Sequence, residues 1–137
     1  MSIPAQPGEI YTAEQFHLHL ASEHTINGLF SSAELHIVHL RQGGSLSAYN
    51  DAAVLGFKID AGAQETNDLF EELLCGWEGT CDGPAPQVFP NGVFDIYEGF
   101  LGDVADDWST FIYDGGLTNP PCLEVVQVRV LHPLVVE

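Results

Sequence analysis

Three histidines in the first third of the chain have the spacing of a metal site. His17 and His19 are separated by one residue in the run QFHLHL, and His36 follows in AELHIVH. Alternate side chains of a β-strand point to the same face, so His17 and His19 share a face. Between the two runs lies Asn27-Gly28, the strongest short-range signal for a two-residue hairpin turn. The sequence therefore predicts a hairpin that brings three imidazoles together.

The turn also predicts which residues pair across this hairpin. With Ile26 paired to Leu29, counting outward places His36 directly opposite His19, and His17 lies diagonally within reach. A bulge in the residues that follow His19 would shift this pairing, but it need not separate the three imidazoles.

The donor set indicates which metal the hairpin would bind. Three imidazoles without a cysteine thiolate favour Zn²⁺ with an open fourth position, which is typical of catalytic rather than structural zinc sites. Gln15 and Glu34 lie two residues before His17 and His36, on the same strand faces. Each can accept the remaining ring N–H of a ligand histidine, which fixes its tautomer and raises its basicity.

The other three histidines do not fit this cluster. His24 and His39 have the opposite strand parity, so we expect His24 to be a structural hydrogen-bonding residue. By the same reasoning, His39 should face the other side of the sheet. His132, next to Pro133, carries no signal of its own.

Several blocks, in order and with similar spacing, resemble the alpha-class carbonic anhydrases. They cover most of the chain and read FHLHL, SEHTING, AELHIVH, AVLGF, YDGGLTNPPC and LEVVQV. The resemblance implies a mainly β fold, with a large, twisted, mostly antiparallel sheet, few short helices and zinc at its centre. It also implies a single partial domain over residues 1–137 that lacks the flanking strands of the family.

The resemblance implies reversible hydration of CO₂ to bicarbonate and a proton by a zinc-bound hydroxide. Zinc bound in this way lowers the pKa of its water to about 7, a value that comes from carbonic anhydrase itself and not from this chain. His17, His19 and His36 match the zinc ligands of the family, and Gln15 and Glu34 match their hydrogen-bond partners.

Two further residues match the family's proton relay. Thr118 matches the threonine that accepts a hydrogen bond from the hydroxide, and Glu23 matches the glutamate that takes the threonine proton. A threonine that donates to Glu23 can only accept from the hydroxide, which aims an oxygen lone pair at CO₂.

CO₂ is apolar and needs an apolar surface that excludes water beside the metal. Val38 lies two residues after His36, so its side chain points to the same face of the strand. The resemblance adds the other pocket residues, Val54, Leu117, Asn119 and Val126. Asn119 stands where many relatives have a second threonine, so we expect it to tune bicarbonate contacts. Val128 stands where the family often has tryptophan, which should reshape the pocket.

The chain is also expected to lack parts of the family domain. No residue matches the proton-shuttle histidine of many members. We therefore expect either a fragment or a reduced form that covers its missing strands by association, for example with a second copy.

Two other functions remain open: a non-catalytic carbonic-anhydrase-like binding or structural module, and a cupin-type metal-binding barrel with Glu23 as a ligand. The cupin motif requires a histidine after a PxG, and none follows PNG at 90–92.

Composition excludes one class of partner. The chain has 20 acidic residues against Arg41, Lys58 and Arg129, for a net charge of −17. Binding to a nucleic-acid backbone requires a basic surface, so nucleic acid is excluded as a partner. The acids are spread along the chain, which favours a solvated surface over an interaction tail.

A salty, secreted, periplasmic or organelle-lumen environment is favoured for such a surface. No apolar run in the sequence approaches the ~18 residues of a membrane span.

The cysteines leave alternatives open. Cys75 and Cys81 could close a short loop by a disulfide in an oxidising compartment, or remain thiols. Cys122 resembles a family cysteine whose partner lies outside this chain, so it is either unpaired or bonded to another chain.

The remaining pattern predicts a few more elements. These are a lead-in at 1–13, a loop at 41–49, a buried strand at 52–60, a short helix at 67–75, a connection at 76–92, and a strand at 123–136 that ends at His132-Pro133.

The charge yields a first testable prediction. Raising NaCl from about 0.01 M to about 1 M shortens the Debye length from about 30 Å to about 3 Å and screens the repulsion between acidic side chains. We expect the thermal midpoint to rise, by about 4 °C for each kcal/mol gained in a domain of this size. KCl should act like NaCl in the same calorimetric scans. An unchanged midpoint in both salts would contradict an acidic, self-repelling surface.

Overall fold

The computed structural model describes residues 9–62 and 110–136, with side chains as far as Leu131. The regular structure of these ranges is entirely β, and no helix in them is long and apolar enough to cross a membrane. The strands are β1 (Tyr11–His19), β2 (Thr25–Ile26), β3 (Leu29–Phe30), β4 (Ala33–Arg41), β5 (Ala52–Ala61), β6 (Thr110–Gly115) and β7 (Val126–Val136).

Five of the strands form one sheet in the order β1-β4-β5-β7-β6, and β2 and β3 form a separate two-stranded hairpin. All neighbours in the larger sheet are antiparallel except β5 and β7, which are parallel. The prediction of a mainly β, mostly antiparallel fold is confirmed. The predicted helix at 67–75, the connection at 76–92, Cys75 and Cys81 lie outside the described residues.

The central strands of this sheet are buried on both faces, as near-continuous apolar runs require. One face of β4 carries Leu35, Ile37 and His39, which are at most 1% exposed. His39 therefore faces away from His36, as predicted. The opposite face continues from His36 into a valine-rich cluster, which consists of Val38, Ala52, Val54, Val126, Val128 and Val130. Each fully buried valine contributes about 1.5–3 kcal/mol relative to its exposed state.

The hairpin turn is found where the sequence predicts it. Asn27 and Gly28 both have positive φ, 52° and 78°, as a type I′ turn requires, and Ile26 pairs with Leu29. Asparagine tolerates this left-handed conformation and glycine adopts it without steric cost, which explains why these two residues form the turn.

The predicted pairing of His36 with His19 is wrong. His36 pairs with His17, and His19 pairs with Glu34. The hairpin pairs Thr25 with Phe30, and the sheet pairs His19 with Glu34. Six residue steps separate His19 from Thr25 on one side, but only four separate Phe30 from Glu34 on the other. The register therefore changes by two residues between the hairpin and the sheet. Because the side-chain period of a strand is two, each histidine keeps its predicted face.

Two predicted boundaries are also wrong. Strand β1 begins at Tyr11, inside the expected lead-in, and β7 continues through Pro133 to Val136. The β5–β7 ladder is irregular at this point, with Phe57 paired to Leu131 and Ile59 to Leu134. The extra residue in β7 forms a bulge, one of the few places where a sheet tolerates proline.

A polar staple shapes the loop between β4 and β5. The Arg41 guanidinium donates to Asp51, whose other carboxylate oxygen accepts the Ser45 N–H at 3.0 Å. A Cβ at Gly44 would lie 2.9 Å from the Asp51 side chain, so this close approach requires glycine. The pKa of Asp51 is lowered mainly by the hydrogen bond from Arg41 and to a smaller extent by that from the Ser45 N–H. The staple fixes the loop that carries Leu46.

This staple predicts a pH-dependent effect of Asp51→Asn. Because the folded pKa of Asp51 lies below its unfolded value of about 3.9, its contribution is present above that value and lost as pH falls through the folded pKa. Asp51→Asn should therefore be less stable than the parent at pH 7, and the two should converge in acid. Urea titrations between pH 7 and pH 3 measure this, with Asp60→Asn as the control. Parallel curves across the range would contradict the staple.

Candidate metal centre

The sheet brings the three predicted ligand histidines together at one point. His17 and His19 extend from the edge strand β1, and His36 extends from β4 beside them. Their ring centroids lie 4.9 Å (His17–His19), 5.3 Å (His17–His36) and 4.7 Å (His19–His36) apart. One nitrogen from each ring lies within 4.8 Å of the others, which is a spacing that one metal ion can bridge.

Hydrogen bonds determine which nitrogens are available. His17 Nδ1 donates to Gln15 Oε1 at 3.0 Å, and His36 Nε2 donates to Glu34 Oε1 at 2.7 Å. The predicted partners of the ligand histidines are therefore in contact with them. These bonds leave His17 Nε2 and His36 Nδ1 to bind a metal.

His19 provides a test of whether the site fits a metal. Its Nε2 is buried and has no hydrogen-bond partner within the described ranges. A buried polar atom without a partner costs about 1–3 kcal/mol, so such an atom requires an explanation. Ligation of a metal supplies one, and an all-imidazole donor set fits zinc. The pKa of His17 is lowered mainly by burial and to a smaller extent by the neighbouring His36 and His19, which favours the neutral form that binds metal.

Glu34 stays ionised although its side chain is fully buried. Burial raises the pKa of its carboxyl group, but the hydrogen bonds from His24 and His36 outweigh that effect and bring the pKa well below its ordinary range. Glu34 Oε1 also accepts from His24 Nδ1 at 2.5 Å, and Oε2 accepts from the His24 backbone N–H at 2.9 Å. A charged carboxylate thus lies directly behind the ligand His36.

The two predicted relay residues make separate contacts at the site. Thr118 lines the cavity beside the histidines. Glu23 lies against the imidazoles, with Oε1 3.4 Å from His19 Nδ1 and Oε2 4.0 Å from His36 Nδ1. Among the described residues, no hydrogen bond joins Thr118 to Glu23, so their relay stays a prediction.

A cavity of about 210 Å³ opens beside His17 and His36. Of the predicted pocket residues, four line it: Val38, Val54, Leu117 and Asn119. Val126 is buried in the adjoining apolar cluster but does not line the cavity, whereas Val128 does. Leu46, from the β4–β5 loop that Asp51 holds by its hydrogen bonds, also lines the cavity and was not identified from the sequence.

Sequence reasoning also missed how close His24 and Tyr113 come to the site. The parity argument for His24 treated residues 20–24 as a continuous strand, but β1 ends at His19. His24 instead reaches Glu34, and its Nε2 lies 2.5 Å from the Tyr113 hydroxyl. Tyr113 lies 89 positions away in sequence, so no local pattern could have joined the two.

The close approach at Gly56 yields a prediction. Gly56 pairs with His36, and a Cβ there would lie 3.0 Å from Glu34 Oε1. Gly56→Ala should push the carboxylate away from His36 Nε2 and lower zinc affinity about ten-fold, the lower end for loss of a ligand's hydrogen-bond partner. Competition with a chromophoric chelator measures this. Glu34→Gln, which keeps an acceptor but removes the charge, serves as the comparison, and parental affinity in Gly56→Ala would show that the contact is unimportant.

Comparisons with known proteins agree on one family. A family model described as eukaryotic-type carbonic anhydrase matches residues 1–135. A carbonic anhydrase from Nostoc sp. is 34% identical over 112 residues, which is 82% of this chain and 37% of that protein. Carbonic anhydrase 4 of Oryctolagus cuniculus is 30% identical over 128 residues, covering 85% of this chain and 40% of that protein.

A solved structure shows the same fold. The alpha-carbonic anhydrase from Thermovibrio ammonificans, in complex with the inhibitor sulfanilamide, superposes with a TM-score of 0.70 at 30% identity. The match covers 96% of this chain and 52% of that one, so the chain spans about half the length of this relative and less of the two above. The family match and the shared fold lead to one conclusion: the chain belongs to the eukaryotic-type, or alpha-class, carbonic anhydrase family.

Proposed function

We propose that this chain catalyses the zinc-dependent, reversible hydration of CO₂ to bicarbonate and a proton. The observation that carries the proposal is the convergence of three imidazoles at the edge of a largely apolar cavity. One of them has a buried Nε2 without a hydrogen-bond partner among the described residues. His17, His19 and His36 would hold the ion, and Gln15 and Glu34 would orient two of the rings.

The metal and the protein have separate tasks in this proposal. When bound, zinc supplies the Lewis acidity that makes water a nucleophile at neutral pH. The Thr118 hydroxyl orients the attacking oxygen if its own proton is donated to Glu23. One C–O bond would form between that oxygen and the carbon of CO₂ while one C=O π bond opens and leaves negative charge on a product oxygen. The proton given up by the attacking water would pass to buffer or to a relay that the sequence does not identify.

The cavity wall suits the two forms of the substrate. Val38, Val54, Leu117 and Val128 provide apolar surface for uncharged CO₂. Asn119 and the Thr118 backbone N–H provide polar groups for an oxygen that becomes negative. The apolar side excludes water and so strengthens the polar contacts on the other side.

A carbonic-anhydrase-like binding or structural module without turnover is the second candidate function, and either function is compatible with association of the chain with a second copy. The retained donor set of three histidines favours the enzyme. A cupin-type barrel is wrong, because the chain belongs to the carbonic anhydrase family.

Stopped-flow measurement of CO₂ hydration, with zinc content determined on the same sample, tests the proposal. Turnover should scale with bound zinc, disappear with a chelator and return when zinc is added. His36→Ala should lose both zinc and activity. Stoichiometric zinc without turnover would leave the metal site in place and favour the non-catalytic module. A folded sample that binds no zinc would overturn both the metal site and the proposed activity.

A pair of threonine variants isolates the relay in the same assay. Thr118→Ala should lower kcat/KM about a hundred-fold, the scale for losing one group that orients or stabilises the transition state. Zinc affinity should not change, because Thr118 is not a ligand. Thr12→Ala, on the exposed face of β1, is the control. Equal activity in both variants would remove Thr118 from the mechanism.

A further inference from the structure

The two edges of the described sheet differ in how they are protected against pairing with another strand. At one edge, the ladder between β1 and β4 is interrupted between Ala13 and Gln15, and Glu14 is the extra residue. Bulges and charged side chains are features that keep an edge strand from pairing with another chain. At the other edge, β6 pairs with β7 without a shift in register. Strand β6 (Thr110–Gly115) contains no proline or lysine, and its one charged residue is Asp114.

Three consecutive large apolar side chains of β6 are exposed. Phe111, Ile112 and Tyr113 are 51%, 55% and 44% exposed, and Thr110 and Asp114 beside them are exposed as well. Successive side chains of a strand point to opposite faces, so Ile112 is exposed on one face of the sheet and its two aromatic neighbours on the other. Among the described strands, β6 has one neighbour, β7. A regular edge of this kind is a template for pairing with a further strand.

Antiparallel pairing of β6 with a second β6 allows few registers. Directly opposite residues of an antiparallel ladder either both exchange hydrogen bonds or both do not, and the two kinds alternate along a strand. A two-fold axis between identical strands must therefore pass beside a residue that faces its own copy. An axis at Phe111 pairs only three residues of β6, and an axis at Tyr113 sets Asp114 against Ile112. An axis at Ile112 pairs Thr110–Asp114 and leaves the carboxylate away from apolar side chains.

The axis at Ile112 also gives favourable neighbours across the two strands. Phe111 lies opposite the partner's Tyr113, and the symmetry repeats this aromatic pair, which is a kind of cross-strand pair that stabilises sheets. Thr110 lies opposite the partner's Asp114, so its hydroxyl can donate to the carboxylate. No acid of β6 faces another acid, although each copy has a net charge of −17. The charge pattern of β6 is therefore complementary to that of a second copy.

We propose that two copies of this chain associate through β6, antiparallel about a two-fold axis at Ile112, so that their five-stranded sheets become continuous. Directly opposite side chains of a sheet point to the same face. Tyr113 lines the cavity beside the metal centre, so both cavities would open on the same face of the joined sheet. A strand of six residues is a small interface, and we expect a dissociation constant of about 1–100 μM.

Analytical ultracentrifugation in about 1 M NaCl, where repulsion between the acidic copies is screened within about 3 Å, tests the inference. The parent should show a reversible equilibrium between monomer and dimer. Ile112→Lys replaces the apolar contact at the axis by two facing ammonium groups and should weaken association about a hundred-fold or more. Ile10→Lys is the matched control, because Ile10 is 59% exposed and precedes β1 at the other edge of the sheet. It should leave the equilibrium unchanged.

Two further sets of variants test the register. In about 0.15 M NaCl, Thr110→Lys should tighten the dimer about ten-fold, because it faces the partner's Asp114 at both ends of the pairing, and Thr110→Glu should weaken it. Ile112→Cys should form a disulfide between copies on oxidation, since facing Cα atoms lie about 4.5–5.5 Å apart, within the range of a disulfide. Thr110→Cys should not cross-link above the parent, whose own cysteines give the background.

Hydrogen exchange separates a second copy from other occupants of this edge. Exchange of the β6 amides that slows as protein concentration rises supports the dimer. Slow exchange at every concentration would mean that another segment of the same chain covers β6, and it would overturn the inference. So would a parent that stays monomeric at about 1 mM in 1 M NaCl, or a dimer that Ile112→Lys leaves intact. None of these readouts depends on zinc or turnover, so the inference and the proposed function fail independently.

Discussion

The buried negative charge of Glu34 is the interaction on which the site depends. A carboxylate with no exposed surface pays a large desolvation cost, and here three N–H donors offset it. One donor belongs to the ligand His36 and two belong to His24. The same charge therefore orders the irregular segment after β1 and sets the tautomer of a ligand on β4. Because each partner needs the others, the site is formed as a unit.

The elements that the sequence predicts well are those that depend on local chemistry. Asn27-Gly28 forms its turn because few other residue pairs adopt positive φ twice in succession, and the shared face of His17 and His19 follows from strand geometry alone. The pairing partner of His36 could not be obtained in this way. It depends on how many residues leave the sheet between His19 and Thr25, which tertiary contacts such as Lys58 to the His24 carbonyl determine.

The error in register did not harm the prediction of the site, and the reason is physical. A shift of two residues preserves the side-chain period, whereas a shift of one would have placed His36 on the opposite face from His17. The contact between His24 and Tyr113 was beyond sequence reasoning, since it joins the irregular segment after β1 to β6, which lies at the other edge of the sheet. The resemblance to a family supplied Thr118 and Leu117, which no periodicity indicates.

The placement of the three basic side chains has an electrostatic consequence. Arg41 is paired with Asp51, Lys58 is buried under the hairpin, and Arg129 is partly buried beside Gln127. No other lysine or arginine exists in the sequence, so the molecule presents a field of one sign to ions in solution. For the proposed reaction, uncharged CO₂ would enter such a field without hindrance, while a bicarbonate anion would be repelled outward. The acidity of the surface would then favour release of that anion over its re-entry.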